Sequence, residues 1–299
     1  MAARDRRAAA RGRRIGRGAT REAGRLTSAR ARFSRALLFQ GDGVTVHELA
    51  RSGPAEHDTS DDRPAQDVER TTMLVTRAGC ATLTRSGRHA RRVVADAARI
   101  VFLAAGDTYR VHYPAEGAYR ATVVTVAGDL APPARDAIAA SAQLLLRLHA
   151  CRSALLGASS AGAPMTDVET TSRSLAALAS ADDMAPSAPA HRDLAERACA
   201  MLAASPSDAH RLPDVARALG ISPFFLARVF RAQVGISLHQ YLLRLRLGLA
   251  LERIAAGERN LSTLALSLGF ATHSHFTAAF TRAYGASPST VRTTLAGRA

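Results

Sequence analysis

"LPDVARALGISPFFLARVF" spans residues 212–230, and "LSTLALSLGFATHSHFTAAF" spans residues 261–280. Set one above the other, they are copies of a single unit. Val215, Ala216, Leu219 and Gly220 match Leu264, Ala265, Leu268 and Gly269 at an offset of 49. Past the glycine the offset becomes 50, and Ser222, Leu226, Phe230, Gly235 and Ser237 match Thr272, Phe276, Phe280, Gly285 and Ser287. The second turn therefore carries one inserted residue.

Each copy reads as helix, turn, helix. A small alanine on the buried face of the first helix allows its partner to approach closely. Glycine follows where a left-handed backbone ends that helix. Ser222 or Thr272 then caps the next helix, because a hydroxyl takes up an orphan backbone N–H. Pro223 sits at the first helical position, where its missing N–H costs little.

Projection of the second helix at 100° per residue separates two faces. In the first copy Leu226, Val229 and Phe230 mark the inner face, and Phe224, Ala227, Arg228 and Arg231 lie opposite. A solvent-facing phenylalanine beside two arginines is odd for a plain surface and suits a helix that enters a major groove. In the second copy Phe276 and Phe280 face inward, with Ser274, Thr277, Ala278 and Thr281 outside.

This placement decides the meaning of His273 and His275. On a strand they would share a face and could clasp one ion. On a helix they diverge by about 200° and do not chelate together. His273, beside the helix N-terminus, is placed to touch a phosphate or base, and His275 is expected to pack within the domain.

Between the copies, "SLHQYLLRLRLGLALERIAAG" (237–257) reads as one helix of about 19 residues, or about 28 Å, ending at Gly257. A rod of that length can hold two reading helices about one duplex turn apart, in successive major grooves.

Charge supports an anionic partner. The chain has 299 residues and a net charge of +15, and all 40 of its basic side chains are arginine. Residues 1–35 hold 12 arginines against Asp5 and Glu22, and residues 206–299 hold 11 against four acids, while the middle is close to neutral. A basic end with a folded pattern points to nucleic acid. The first 35 residues show little apolar periodicity and read as a disordered basic tail, either a non-functional extension or a non-specific phosphate binder. Cys80, Cys151 and Cys199 have no pair spacing, which argues against a disulfide framework and fits a reducing, cytoplasmic compartment. No apolar run is long enough for a transmembrane helix, and no apolar segment behind the first arginines marks a signal peptide.

Residues 36–130 change texture to short β-rich runs: "VTVHELA" (44–50), "TTMLVTR" (71–77), "ARIVFLAAGD" (98–107), "TYRVHYP" (108–114) and "YRATVVTV" (119–126). Close spacing with Gly and Pro punctuation suggests an antiparallel sandwich or small barrel. Residues 131–190 read as a connecting segment. "DAIAASAQLLLRLHACRSALLG" (136–157) looks helical, with Leu144, Leu145, Leu148 and Leu155 as a candidate dimer contact or as packing onto the chain's own barrel. A linker follows, with a short helix near 168–179. Residues 191–299 are read as all-helical.

The run "DVARALGISPFFLARVFRAQVGISLHQYLLRLRLGLALERI", followed by "LALSLGFATHSHFTAAFTRAYGASPSTVR", closely resembles the AraC/XylS-type transcriptional regulators over about residues 195–293. The resemblance implies that the second helix of each unit reads bases. By position the DNA-binding residues are then Phe224, Ala227, Arg228 and Arg231 in the first reader, and His273, Ser274, Thr277 and Ala278 in the second. Arg282 and Arg292 follow as phosphate contacts. Ala278 departs from the basic residue common there, and the second reader carries only short groups, so the first reader is expected to dominate discrimination. "ARIVFLAAGDTYRVHYP" resembles, more weakly, the cupin-like sensor domain of such regulators over about residues 40–128. His47, Glu48, Glu56, His57, His89 and His112 are too dispersed for the metal cluster of metal-using cupins, and no metal or other cofactor is assigned.

The expected fold class is therefore α+β: an N-terminal antiparallel β-barrel, cupin-like, and a C-terminal all-α domain of two helix-turn-helix units joined by a linker helix. The expected function is non-enzymatic, sequence-specific regulation of transcription on double-stranded promoter DNA. A small-molecule effector in the barrel, RNA polymerase and a second copy in a homodimer are further candidate partners. Two alternatives stand beside it: a non-specific nucleoid-binding protein, and a cupin-type metalloenzyme with a helical tail.

Overall fold

The computed structural model describes residues 32–41, 43–52, 65–86, 91–113, 118–127, 136–157 and 188–296. Most of the basic tail lies outside these residues, as do Glu56, His57, His89 and the helix expected near 168–179.

Ten strands form two antiparallel sheets. The larger takes the order β1(Arg32–Gly41), β2(Val44–Ser52), β9(Tyr119–Val126), β4(Thr72–Ala78), β7(Arg99–Leu103), β10(Ala137–Ala139). The smaller takes the order β3(Gln66–Asp67), β8(Thr108–His112), β5(Ala81–Ser86), β6(Arg91–Ala95). Of the sandwich and the small barrel that the strand-like runs suggest, the chain forms the former, and the barrel expected in the fold class is not closed: two sheets pack on each other. Leu74, Val101, Leu103, Tyr119 and Ala121 of the larger sheet meet Ala81, Leu83, Val93 and Ala95 of the smaller.

The alternate residues of the same central strands point the other way. Val44, Val46, Met73, Val75, Ile100, Phe102, Val124 and Val126 join a second core with the helices. A strand buried on both faces is mostly apolar, which is why "RIVFL" shows no polar alternation from Ile100 to Leu103, and its one charge, Arg99, is paired.

Two boundaries move from the sequence reading. β1 begins at Arg32, inside the segment read as tail. Residues 137–139 are a strand paired with β7, not the start of a helix, so the β region extends beyond residue 130. Helix α1(Ala142–Gly157) follows. Its Leu144 and Leu145 are buried in the second core, with Leu148 and Leu155 packed against it. These leucines pack on the chain's own core, Leu148 and Leu155 only in part.

The rest is helical: α2(Pro189–Ala204), α3(Leu212–Ala218), α4(Pro223–Val234), α5(Leu238–Ala255), α6(Leu261–Ser267), α7(His273–Tyr284) and α8(Pro288–Ala296). Ser222 accepts a hydrogen bond from the Phe225 N–H at 3.2 Å, and Thr272 accepts one from the His275 N–H at 3.1 Å. A capping box of Ser237 and Gln240 starts α5.

The β region and the helices share buried contacts. Gly248 in α5 lies against the Ala97 carbonyl, where any Cβ would overlap the oxygen. The carboxylate of Glu196 (α2) accepts two bonds from the Arg99 guanidinium (β7), at 2.8 and 2.9 Å, and a third from the Val94 N–H at 2.8 Å. Tyr241 (α5) donates to Asp96, whose carboxyl burial pushes up from its usual range. Further along α5, Glu252 accepts from Arg77 (β4) at 2.7 Å, and Arg77 also holds Glu48.

His149 (α1) is buried with Nδ1 3.7 Å from Glu252 Oε2. Burial lowers its pKa from 6.5 to about 4; Glu252 opposes the shift, and Arg77 and Arg152 add to it. The folded chain therefore withholds a proton that the unfolded chain binds below 6.5. Stability is full above that value and falls as the pH drops toward 4, by on the order of 3 kcal/mol over the whole interval. Glu48 carries the raising effect of burial, but Arg152 and Arg77 outweigh it and hold the carboxyl below its usual 4.5, so its own loss falls at lower pH. Between pH 7 and pH 5 the urea-unfolding free energy is expected to fall by about 2 kcal/mol. His149→Gln should flatten that slope, and an unchanged slope would count against the assignment.

Candidate nucleic-acid interface

α3 and α4 form the first helix-turn-helix unit, and α6 and α7 form the second. Each shorter helix is pinned by buried apolar residues: Val215 and Ala216 in α3, Leu264 and Ala265 in α6. The glycine after each has positive φ, 72° at Gly220 and 78° at Gly269. That conformation turns the chain into the next helix at no steric cost.

α4 is amphipathic in the way its sequence projects. Leu226, Val229 and Phe230 are buried, with the Phe230 ring edge-on to Tyr241 at 5.5 Å. Phe224 is 81% exposed, and Ala227, Arg228 and Arg231 are exposed beside it. The Arg228 guanidinium lies over the Phe225 ring, 5.4 Å from its centre. Phe225 is in turn edge-on to His191 of α2 at 5.6 Å. A cation held over a ring loses less freedom when it docks than one on a free chain.

α7 buries Phe276, Phe280 and Tyr284. Its outer face forms an open trough lined by His273, Ser274, Thr277, Ala278, Thr281 and Arg282. All four residues assigned to the second reader, and Arg282, lie together there. The His273 ring nitrogen is 3.5 Å from the Thr277 hydroxyl.

One assignment changes. His275 is exposed rather than packed inside, with its ring edge-on to Phe270 at 5.6 Å. At 100° per residue it falls between the inner row of Phe276 and Phe280 and the outer row of Ser274 and Ala278. Arg292 on α8 is half-buried and donates to the Arg259 carbonyl at 2.9 Å. That bond ties the chain's last helix to the loop before α6.

Residues 215–294 match a family of helix-turn-helix domains. These residues form a helix-turn-helix domain. The probable transcriptional regulator LumQ of Photobacterium leiognathi is 48% identical to the chain over 60 residues, 20% of this chain and 24% of that protein. Regulatory protein PocR of Salmonella typhimurium is 28% identical over 102 residues, 34% of each. The chain thus spans between a quarter and a third of the length of these curated relatives. A crystal structure of fatty-acid-bound ToxT from Vibrio cholerae covers 86% of this chain and 97% of its own, at 14% identity and a TM-score of 0.35.

The helix-turn-helix domain also contains charges that helical projection did not assign a role. Glu252 lies on the buried stripe of α5, three and four residues beyond Leu249 and Gly248, and is 3% exposed. Arg246 lies on the same rod, four residues beyond Leu242, and is half-buried. A charge on an apolar stripe signals a buried partner, and that signal was present in the sequence.

Proposed function

We propose that the chain is a sequence-specific, DNA-binding transcriptional regulator whose two helix-turn-helix units read adjacent major grooves. The observation that carries this reading is α4. Its buried side holds the unit together, while Phe224, Arg228 and Arg231 stand outside in a single exposed row. Arginine gives paired donors to guanine, and an exposed aromatic edge suits a thymine methyl. The trough on α7 supplies a second, shorter-armed face of His273, Ser274, Thr277 and Ala278. Arg282 beside it is assigned to phosphate.

α5 is 18 residues long, about 27 Å at 1.5 Å per residue, a rod of the length that would set two readers in successive major grooves. Regulation is assigned to the β region, with a small-molecule effector as its signal. The support is mechanical. β4 and the turn at 95–98 grip α5, the rod that both readers share, so a ligand that favours one arrangement of the β region can bias both readers together.

The ranking of the readers is testable with the full chain. Arg228→Ala is expected to cost about 1–3 kcal/mol of binding, roughly 5- to 150-fold, at one or two base pairs. Ser274→Ala and Thr277→Ala should cost less. The check is a mobility shift against single-base variants of a selected site at fixed salt. A larger relaxation of specificity from Ser274→Ala or Thr277→Ala would reverse the ranking.

A further inference from the structure

Arg246 projects from α5 into the gap between the two helix-turn-helix units. Its guanidinium donates to four backbone carbonyls: Nε to Pro206 at 2.7 Å, Nη1 to Gly269 at 2.9 Å, and Nη2 to Asp208 at 2.8 Å and to Ser207 at 3.4 Å. Pro206, Ser207 and Asp208 lie in the loop that delivers the chain from α2 into the first unit. Gly269 is the turn of the second. One planar cation therefore ties the turn of the second unit to the loop that leads into the first.

The two copies of the turn glycine show how close that union is. A Cβ built on Gly220 would meet nothing within 4 Å. A Cβ built on Gly269 would overlap the Ser207 carbonyl oxygen and lie 2.8 Å from Arg246 Nη2. Gly220 serves only its own turn, whereas Gly269 is also an inter-unit contact. The apolar cores do little of this work. The first unit packs in one cluster with α2, and the second packs in another with α1 and α8.

We propose that Arg246 is a positioning residue that fixes the distance and angle between the two reading helices, and so makes the chain selective for one spacing between its two DNA half-sites. This rests on the two-groove reading above. Moving a half-site by one base pair shifts it by about 3.4 Å and rotates it by about 35°. A rigid pair of readers rejects that displacement. A pair joined by α5 alone tolerates it, and gains less from engaging both sites at once.

The test measures full-length wild type, Arg246→Met, Arg246→Lys and Gly269→Ala on duplexes whose two selected half-sites stand at the native spacing or are displaced by one and two base pairs, together with a duplex carrying the first half-site alone. Wild type should lose about tenfold or more on displacement. Arg246→Met should lose affinity at the native spacing, keep its affinity at the displaced spacings and on the half-site, and so flatten the ratio. Arg246→Lys offers a point charge in place of a planar fork and should recover only part of the discrimination. Gly269→Ala, which forces the same contact apart without removing the charge, should flatten the ratio as well. Uniform loss on every duplex by the arginine variants, or an unchanged spacing ratio, would overturn the proposal. If Arg246→Met does not fold, Arg246→Lys and Gly269→Ala decide it by the same ratio. A wild-type protein indifferent to spacing would instead overturn the two-groove reading itself.

Discussion

Arg99→Met is expected to destabilise the chain by about 3–5 kcal/mol. Arg99 is 3% exposed and lies among Glu196, Asp96 and the Tyr241 ring. Among the described residues, its removal leaves the Glu196 carboxylate between β6 and α2 with only the Val94 N–H as hydrogen-bond partner. A buried charge stripped of its counterion cannot recover its hydration, and that loss exceeds the worth of the pair itself. The double substitution Arg99→Met with Glu196→Leu removes both charges and should recover most of the loss. Denaturant melts of the wild type and the two variants check this. Equal destabilisation by the single and double variants would show that packing, not uncompensated charge, sets the cost. The pair joins β7 to α2, so the single variant should also loosen the contact between the sheets and the first helix-turn-helix unit.

Phe280→Ala carries an expectation of the same size, about 3–5 kcal/mol. Phe280 is fully buried at the centre of an aromatic stack, 5.6 Å from the Phe276 ring and 4.4 Å from the Tyr284 ring between centres. Tyr284 in turn donates to the Leu247 carbonyl of α5 at 3.1 Å. The stack therefore seats α7 on the rod. Truncation opens a cavity between them and frees the face that carries Ser274, Thr277 and Ala278. Because folded chains are stable by only about 5–15 kcal/mol, the change should be plain in a urea melt. It should also weaken DNA binding at the second half-site more than at the first. A loss below about 1 kcal/mol would mean that the site collapses around the missing ring.

The helical third of the chain was legible because its signals are local. A hydroxyl three residues before the N–H it caps, a glycine that ends a helix and an apolar face at helical spacing all act within a few residues. Ser222, Thr272, Gly220 and Gly269 accordingly stand where their spacing placed them. The outward row of Phe224, Arg228 and Arg231 was readable for the same reason, since a short amphipathic helix has one inner side.

What was missed depends on distant partners. β10 is three residues, "AIA", inside a helix-forming run, and only its pairing with β7 makes it a strand. β1 begins among arginines, with Phe33 and Leu37 exposed, and is defined by its ladder to β2 rather than by its own burial pattern. The choice between sandwich and closed barrel could not be made from strand-like runs, because closure is a property of pairing. The ion pairs that hold the sheets to the helices span 97 residues for Arg99 and Glu196, and 175 for Arg77 and Glu252. No periodicity announces a partner that far away.

In-vitro selection of duplexes bound by the full-length chain at one fixed salt concentration tests the central claim most directly. Two matched modules on one rod predict enrichment of two short blocks whose centres lie about 10–10.5 base pairs apart, with the better-defined block relaxed at one or two base pairs on Arg228→Ala. Recovery of duplexes without a shared sequence, or of a single block indifferent to its flanks, would contradict it.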